Sequence, residues 1–307
     1  MLKINIKKYS IMKKIIIIGA GAMGSAFAVP CLENQNEVTL VGTHLEDDLI
    51  NKIKLNNNFH PALNIELPSK LKVEKFEKLR SILEDKVDII VAGVSSIGIE
   101  WFVNQISKNY KKNIPIILLT KGLAIEDNEL ITLSDKIKKL LKNQGQTEVN
   151  VSAIKGPCLA AGLANKMRTG TVIANPNIKE TEKLKKFIST DYYSTETSDD
   201  LTGVELAGAI KNIYSMLIGA SEGLSNSKAS KEIQSKYYLN TSASLIHRSI
   251  SEMVEFVSYY GGKTDTVYGL AGLGDLYVSA IGGRNRLMGK YLGEGYLYKD
   301  AKEKFMK

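Results

Sequence analysis

Between Ile15 and Gly24 the chain reads Ile-Ile-Ile-Ile-Gly-Ala-Gly-Ala-Met-Gly, an apolar β-branched run ending in glycines at the spacing G-x-G-x-x-G. Such a run suits a strand buried on both faces, and Ser25 to Glu33 continues it as a helix. In that order, Gly19 makes a tight turn, Gly21 lets the backbone approach a pyrophosphate, and Gly24 lets the helix pack on the strand. The pyrophosphate of a dinucleotide then sits at the helix N-terminus, where unpaired N–H groups and the dipole favour an anion. The second strand ends Val41-Gly42-Thr43-His44. An acid there would select NAD and a basic residue NADP. Glu46 lies slightly late and His44 suits either a 2′-phosphate or solvent, so the reading leaves both cofactors open.

From Lys14 to Ser198 short β-branched runs alternate with amphipathic ones, the pattern of βαβ units on a parallel sheet. Strands are expected at 14–18, 38–41, 71–73, 88–92, 114–119, 149–154, 171–174 and 192–194, with helices such as 97–107 and 128–142 between them. After Asp199 the β-like runs stop, and 200–223 and 237–260 carry helical periodicity. The expected architecture is α/β: a doubly wound parallel Rossmann sheet, residues 12–198, followed by an all-helical substrate domain, residues 199–307. A chain of 307 residues fits two units of roughly 100 to 200 residues each.

Lys and Arg total 41 against 33 acidic residues, but only five are Arg (Arg80, Arg168, Arg248, Arg284, Arg286). The dispersed lysines read as a solvated face, since the runs at 136–139 and 183–186 lack interleaved aromatics for base stacking. Nucleic acid is therefore not an expected partner, whereas a positive chain suits a phosphorylated small substrate. Cys31 and Cys158 are far apart, and His44, His60 and His247 form no ligand cluster with them. The expectation is no metal, no disulfide and a reduced, cytoplasmic compartment. The basic start followed by the uncharged stretch from Ile15 to Leu32 resembles a signal peptide. The three glycines and the strand that follows argue against one, leaving residues 1–11 as an extension or an upstream start before Met12. No other stretch approaches the about 18 apolar residues of a membrane span.

In the helical half, Leu201 to Ser221 carries only Glu205 and Lys211 as charges. A helix this apolar is buried on most faces, and desolvation lowers the pKa of a buried lysine, so Lys211 is a candidate proton donor or acceptor. Pairing with Glu205 is the plain structural alternative. Gly269-Leu-Ala-Gly-Leu-Gly-Asp275 sets one carboxylate among glycines, able to orient Lys211 or accept a substrate hydroxyl. Lys121, after the strand ending at Leu119, faces the ligand crevice of a doubly wound sheet or serves as a surface turn residue. Gly282-Gly283-Arg284-Asn285-Arg286 places a guanidinium fork, suited to phosphate, beside flexible backbone.

These segments, with Thr120-Lys121-Gly122, Gly156-Pro157, Glu205 to Asn212, Asn240 and Ala243 to Arg248, occur in an order that resembles the NAD(P)-dependent glycerol-3-phosphate dehydrogenases of the bacterial type. The resemblance implies hydride exchange between a nicotinamide and C2 of a three-carbon phosphate, and a helical domain like that of 6-phosphogluconate dehydrogenase. It implies Lys211 as general acid/base, with Asp275 and Lys121 beside it. Cofactor contacts would come from Gly19, Gly21, Ala22, Met23, Gly24, Thr43, Lys121, Ala160 and Arg284. Substrate contacts would come from Lys121, Gly156, Cys158, Lys211, Asn212, Asp275, Arg284 and Asn285. A homodimer is also expected.

Three departures from the family pattern stand out. Lys155-Gly156-Pro157-Cys158 replaces the usual Ser-Gly-Pro followed by Ser or Thr, so another small phosphorylated polyol or ketose is the alternative substrate. Leu224 to Lys228 departs from a glycine-rich segment. The sequence ends at Lys307 where members generally continue, so the cofactor cover would come from a neighbouring subunit or the site would be more open. Ketopantoate reductase shares the opening glycines but does not account for Gly269 to Asp275 or Arg284. A dinucleotide-sensing protein would not need Lys211, Asp275 and Arg284 together.

Overall fold

The structure, a computed structural model, describes residues 12–110, 113–227, 231–237 and 239–306. The extension expected at residues 1–11, and Lys228 of the departing segment, lie outside the described residues. Eight strands form one sheet in the spatial order Tyr193–Ser198, Thr169–Ala174, Val151–Lys155, Ile116–Leu118, Ile89–Ala92, Lys14–Ile18, Glu37–Val41, Lys72–Glu74. The order reverses on either side of Lys14–Ile18, the doubly wound pattern whose switch point forms a crevice at the C-terminal strand ends. Six strands run parallel. Thr169–Ala174 runs antiparallel to Val151–Lys155, and Tyr193–Ser198 follows it in the reversed direction.

The isoleucine run explains why the first strand is central. Ile15 and Ile17 face one apolar layer with Phe27, Val91 and Ile117; Ile16 and Ile18 face the other with Ile90, Phe102 and Leu118. All four are buried, each worth about 1.5–3 kcal/mol over an exposed side chain.

Each expected sheet strand appears, the first with the expected ends and the others with ends shifted by up to four residues. The helix expected from Asn128 begins only at Leu133, because Glu129–Thr132 pairs with Leu123–Glu126 in a small hairpin. Its two-residue turn is Asp127 and Asn128, both at positive φ (51° and 63°), a conformation that these side chains tolerate.

The last sheet strand ends at Ser198, and the helix Leu201–Asn226 follows. Asp200 caps it, its Oδ1 accepting the Gly203 N–H at 2.9 Å. Its 26 residues span about 39 Å. A second helix, Arg284–Gly293, crosses it in backbone contact: a Cβ on Gly289 would lie 1.9 Å from the Met216 carbonyl oxygen, and one on Gly219 would lie 2.0 Å from that of Arg286. This close crossing fixes where Arg284 and Asn285 stand relative to Lys211.

Candidate active site

At the first strand's end the glycines do what their spacing predicts. Gly19 adopts φ +109°, and a Cβ there would lie 2.7 Å from the Gly93 backbone. A Cβ on Gly24 would lie 2.2 Å from the Gly19 carbonyl oxygen, whereas one on Gly21 would meet only Glu46 Oε1, at 3.9 Å. The helix Ala22–Glu33 therefore starts with Gly21 at its N-cap, no side chain capping it and no acid in its first turn. This cradle fits a pyrophosphate.

Side chains distant in sequence hold the turn. The Ala20 N–H donates to Glu46 Oε2 at 3.0 Å, and its carbonyl accepts from Ser25 Oγ at 2.9 Å and His60 Nε2 at 3.0 Å. The Leu63 N–H donates to His60 Nδ1, which leaves the proton on Nε2. Glu46 Oε2 also accepts the Thr43 N–H, at 2.8 Å. The sequence reading placed Glu46 late and gave His60 no role; the folded loop brings both back onto the glycines. His44 is exposed and lies against Trp101 and Phe76, with ring centroids 5.1 and 6.3 Å away.

Next to the turn, Met23, Phe27, Leu119, Lys121, Ile154, Lys155, Gly156, Cys158, Thr171 and Tyr193 line a small pocket. It joins Met23 of the glycine turn to three expected substrate contacts, Lys121, Gly156 and Cys158. Gly156 takes φ +137° in a tight approach to Thr171. Burial pushes the Cys158 thiol up to about 12, so it stays protonated, a weak donor. Ala160 opens the short helix Ala160–Ala164 and packs on the same apolar layer as Met23.

Lys121 leads into the helical half. Its Nζ lies 2.5 Å from Asp275 Oδ2, and Lys211 Nζ lies 2.8 Å from Asp275 Oδ1. One buried carboxylate thus bridges two ammonium groups. Lys211 also donates to Ser279 Oγ, a partner on the turn after Asp275 that sequence reading missed. Lys211 and Asp275 are 5% and 1% exposed at the side chain, and Lys121 is 25% exposed. Desolvation, then the Lys121 charge, lowers the Lys211 pKa to about 8, opposed by Asp275. The expected alternative, a Lys211–Glu205 pair, does not form. Glu205 Oε1 instead accepts the Ser134 N–H at 3.1 Å.

The segment Leu270–Gly274 is a π-helical turn running into the helix Asp275–Gly282, which tips Asp275 inward. Gly274 packs on Pro157, and Gly282 faces Leu159; a Cβ on either would make a 3.5 Å contact. The loop from Gly156 to Leu159 therefore packs along the helix Asp275–Gly282, which leads into the helix that bears Arg284 and Asn285. Both are exposed and, among the described residues, have no side-chain partner. Arg286 is different: with Lys290 it pairs with Glu222, a structural contact. Asn212 is half-buried beside Lys211. The described residues hold no cluster of His, Cys, Asp and Glu able to bind a metal, and no helix among them is long and apolar enough to cross a membrane.

Comparisons with known proteins agree with this geometry. Residues 14–181 match the family model of the NAD-dependent glycerol-3-phosphate dehydrogenase N-terminus, and residues 200–307 that of its C-terminus. The chain is 34% identical over 291 residues to an NADP(+)-dependent glycerol-3-phosphate dehydrogenase of Archaeoglobus fulgidus, spanning 94% of this chain and 82% of that protein. It is 31% identical over 296 residues to a glycerol-3-phosphate dehydrogenase [NAD(P)+] of Clostridium botulinum, spanning 95% and 82%. The glycerol-3-phosphate dehydrogenase structure from Coxiella burnetii superposes with a TM-score of 0.81 at 28% identity, covering 96% of this chain and 85% of that one. With both halves matched in sequence and the whole chain matched in fold, this protein belongs to the NAD(P)-dependent glycerol-3-phosphate dehydrogenase family.

Proposed function

We propose that the chain interconverts sn-glycerol 3-phosphate and dihydroxyacetone phosphate with NAD or NADP. The observation that carries the reading is the buried Lys211 amine, shared with Lys121 through Asp275, beside a pocket that opens on the glycine turn. Gly19, Gly21, Ala22, Met23 and Gly24 would hold the dinucleotide, with Thr43, Ala160, Lys121 and Arg284 along its length. When bound, that cofactor supplies or takes the hydride at C2.

The protein's own groups manage the proton and the charge. During ketone reduction Lys211 gives its proton to the C2 oxygen; during alcohol oxidation it takes one back. A pKa of about 8 keeps both forms within reach. Asp275 fixes the amine's direction. Lys121, partly exposed, draws in the anionic substrate, and Asn212 offers an amide to its hydroxyl. Arg284 and Asn285 hold the phosphate, Arg through its planar fork. Gly156 and the Cys158 thiol close the floor of the pocket.

Residues 12–198 then form the cofactor-binding unit and 199–307 the substrate unit, a division supported by the last strand ending at Ser198. A homodimer is supported by exposed apolar pairs at one-turn spacing, Ile213 with Leu217 and Tyr277 with Ile281. The two unpaired thiols support a reducing, cytoplasmic setting.

The test is oxidation of NADH and NADPH by purified protein on addition of dihydroxyacetone phosphate, with cofactor titrated in its presence and absence. Turnover with at least one cofactor is expected. Cofactor binding without turnover would refute the substrate assignment.

A further inference from the structure

Lys155 is a buried amine with no part in the chemistry above. It ends the strand Val151–Lys155 and is 2% exposed. Its stem lies along Gly208 of the long helix, where a Cβ would come within 3.0 Å of Lys155 Cδ. Its Nζ donates to the Thr120 carbonyl at 2.8 Å and the Leu118 carbonyl at 3.4 Å. Backbone pairing between this strand and Ile116–Leu118 stops at Ala153 and Leu118. The lysine side chain therefore carries hydrogen bonding beyond the point where the ladder ends. Thr120 is also held from its other side, its Oγ1 donating to the Val94 carbonyl at 2.7 Å. The next residue is Lys121, so an anchored Thr120 peptide fixes where that side chain begins.

A buried ammonium needs a countercharge. Glu205, one turn before Gly208, is 1% exposed, and its Oε2 has no hydrogen-bond partner among the described residues. Glu205 and Lys155 attract each other through the interior without direct contact, one charge on the helix and one on the sheet. Neither Gly208 nor Glu205 lines the pocket, whereas Lys155 does, which makes Lys155 a link between the helix and the Lys121 loop.

We propose that Lys155, balanced by Glu205, is a positioning residue that anchors the Thr120 carbonyl and thereby aims Lys121 at the substrate. The inference rests on the reading of Lys121 as a substrate-holding residue.

The test is the double variant Lys155→Met/Glu205→Gln, which removes both charges together and so avoids stranding either one. A melting temperature near that of the wild type is expected, with the KM for dihydroxyacetone phosphate raised about ten-fold and the KM for the dinucleotide raised by less. The same pair of changes made on Lys121→Ala should add little further. A wild-type KM, or a rise undiminished by Lys121→Ala, overturns the inference. Lys121→Ala alone separates the two levels: an unchanged KM there overturns the reading of Lys121, and the inference with it. A raised KM there beside a wild-type KM in the double variant overturns the inference alone. If the double variant does not fold, Lys155→Ser/Glu205→Gln, which leaves room for water at the Thr120 carbonyl, is judged by the same two outcomes.

Discussion

Lys211 Nζ stands 2.8 Å from Asp275 Oδ1, both side chains almost wholly out of water. The pair lies between the long helix and the π-helical turn, so the amine would lose its countercharge if Asp275 moved away. In such a setting the amine's direction and its acidity are set by the fold, and each is open to measurement.

Lys211→Ala is expected to lower kcat by about 10²–10⁴, the usual worth of a general acid/base, while the dissociation constant for the dinucleotide changes less than about two-fold. Turnover and cofactor fluorescence titration on the same preparation check this. A loss of cofactor binding equal to the loss of kcat would remove the residue from the proton step.

The pH dependence follows from the Lys211 pKa of about 8. Ketone reduction needs the protonated amine, so its rate should be level below about pH 8 and fall above it. Alcohol oxidation needs the free amine and should rise through the same region. Asp275 opposes the depression, so Asp275→Asn should move both breaks to lower pH. A break that moved upward would contradict the electrostatics.

The glycine turn gives a paired test. Gly24→Ala places a methyl 2.2 Å from the Gly19 carbonyl oxygen and should cost about 3 kcal/mol of stability, read as a lowered Tm. Gly21→Ala meets nothing closer than 3.9 Å and should melt normally, yet raise the KM for the dinucleotide by filling the pyrophosphate's approach. Equal effects on Tm would refute the division of labour.

Two neighbouring arginines should separate just as cleanly. Arg284→Ala removes a guanidinium without a partner among the described residues and should raise the KM for the phosphorylated substrate at least about ten-fold, the effect of roughly 1.4 kcal/mol. Arg286→Ala breaks the contact with Glu222, worth about 1 kcal/mol or less, and should lower Tm slightly with KM unchanged. Steady-state kinetics and thermal melts on both variants check this.

The sheet was legible because buried β-branched runs announce themselves, and Lys211 because a lone amine in an apolar helix demands a reason. Other features escaped for physical causes. Periodicity carries no direction, so nothing in Thr169–Ala174 told that it runs against its neighbour. The hairpin at Leu123–Thr132 is signalled only by the Asp127-Asn128 pair, the second of which also suits the start of the helix expected at 128–142. Glu46, His60 and Ser279 act across gaps of 26, 40 and 68 residues, contacts that no local pattern encodes. Lys155 stands out in the sequence only as an unusual residue before Gly-Pro; its partners come from the end of a neighbouring strand and from the long helix.

The grip of Glu46, Ser25 and His60 on the two peptides that flank Ala20 has a kinetic meaning. A mould already set needs no settling time, so the dinucleotide should dock in one step with little rearrangement of its binding loop, and whatever closing motion accompanies turnover must come from the opposite wall, where Arg284 and Asn285 stand exposed.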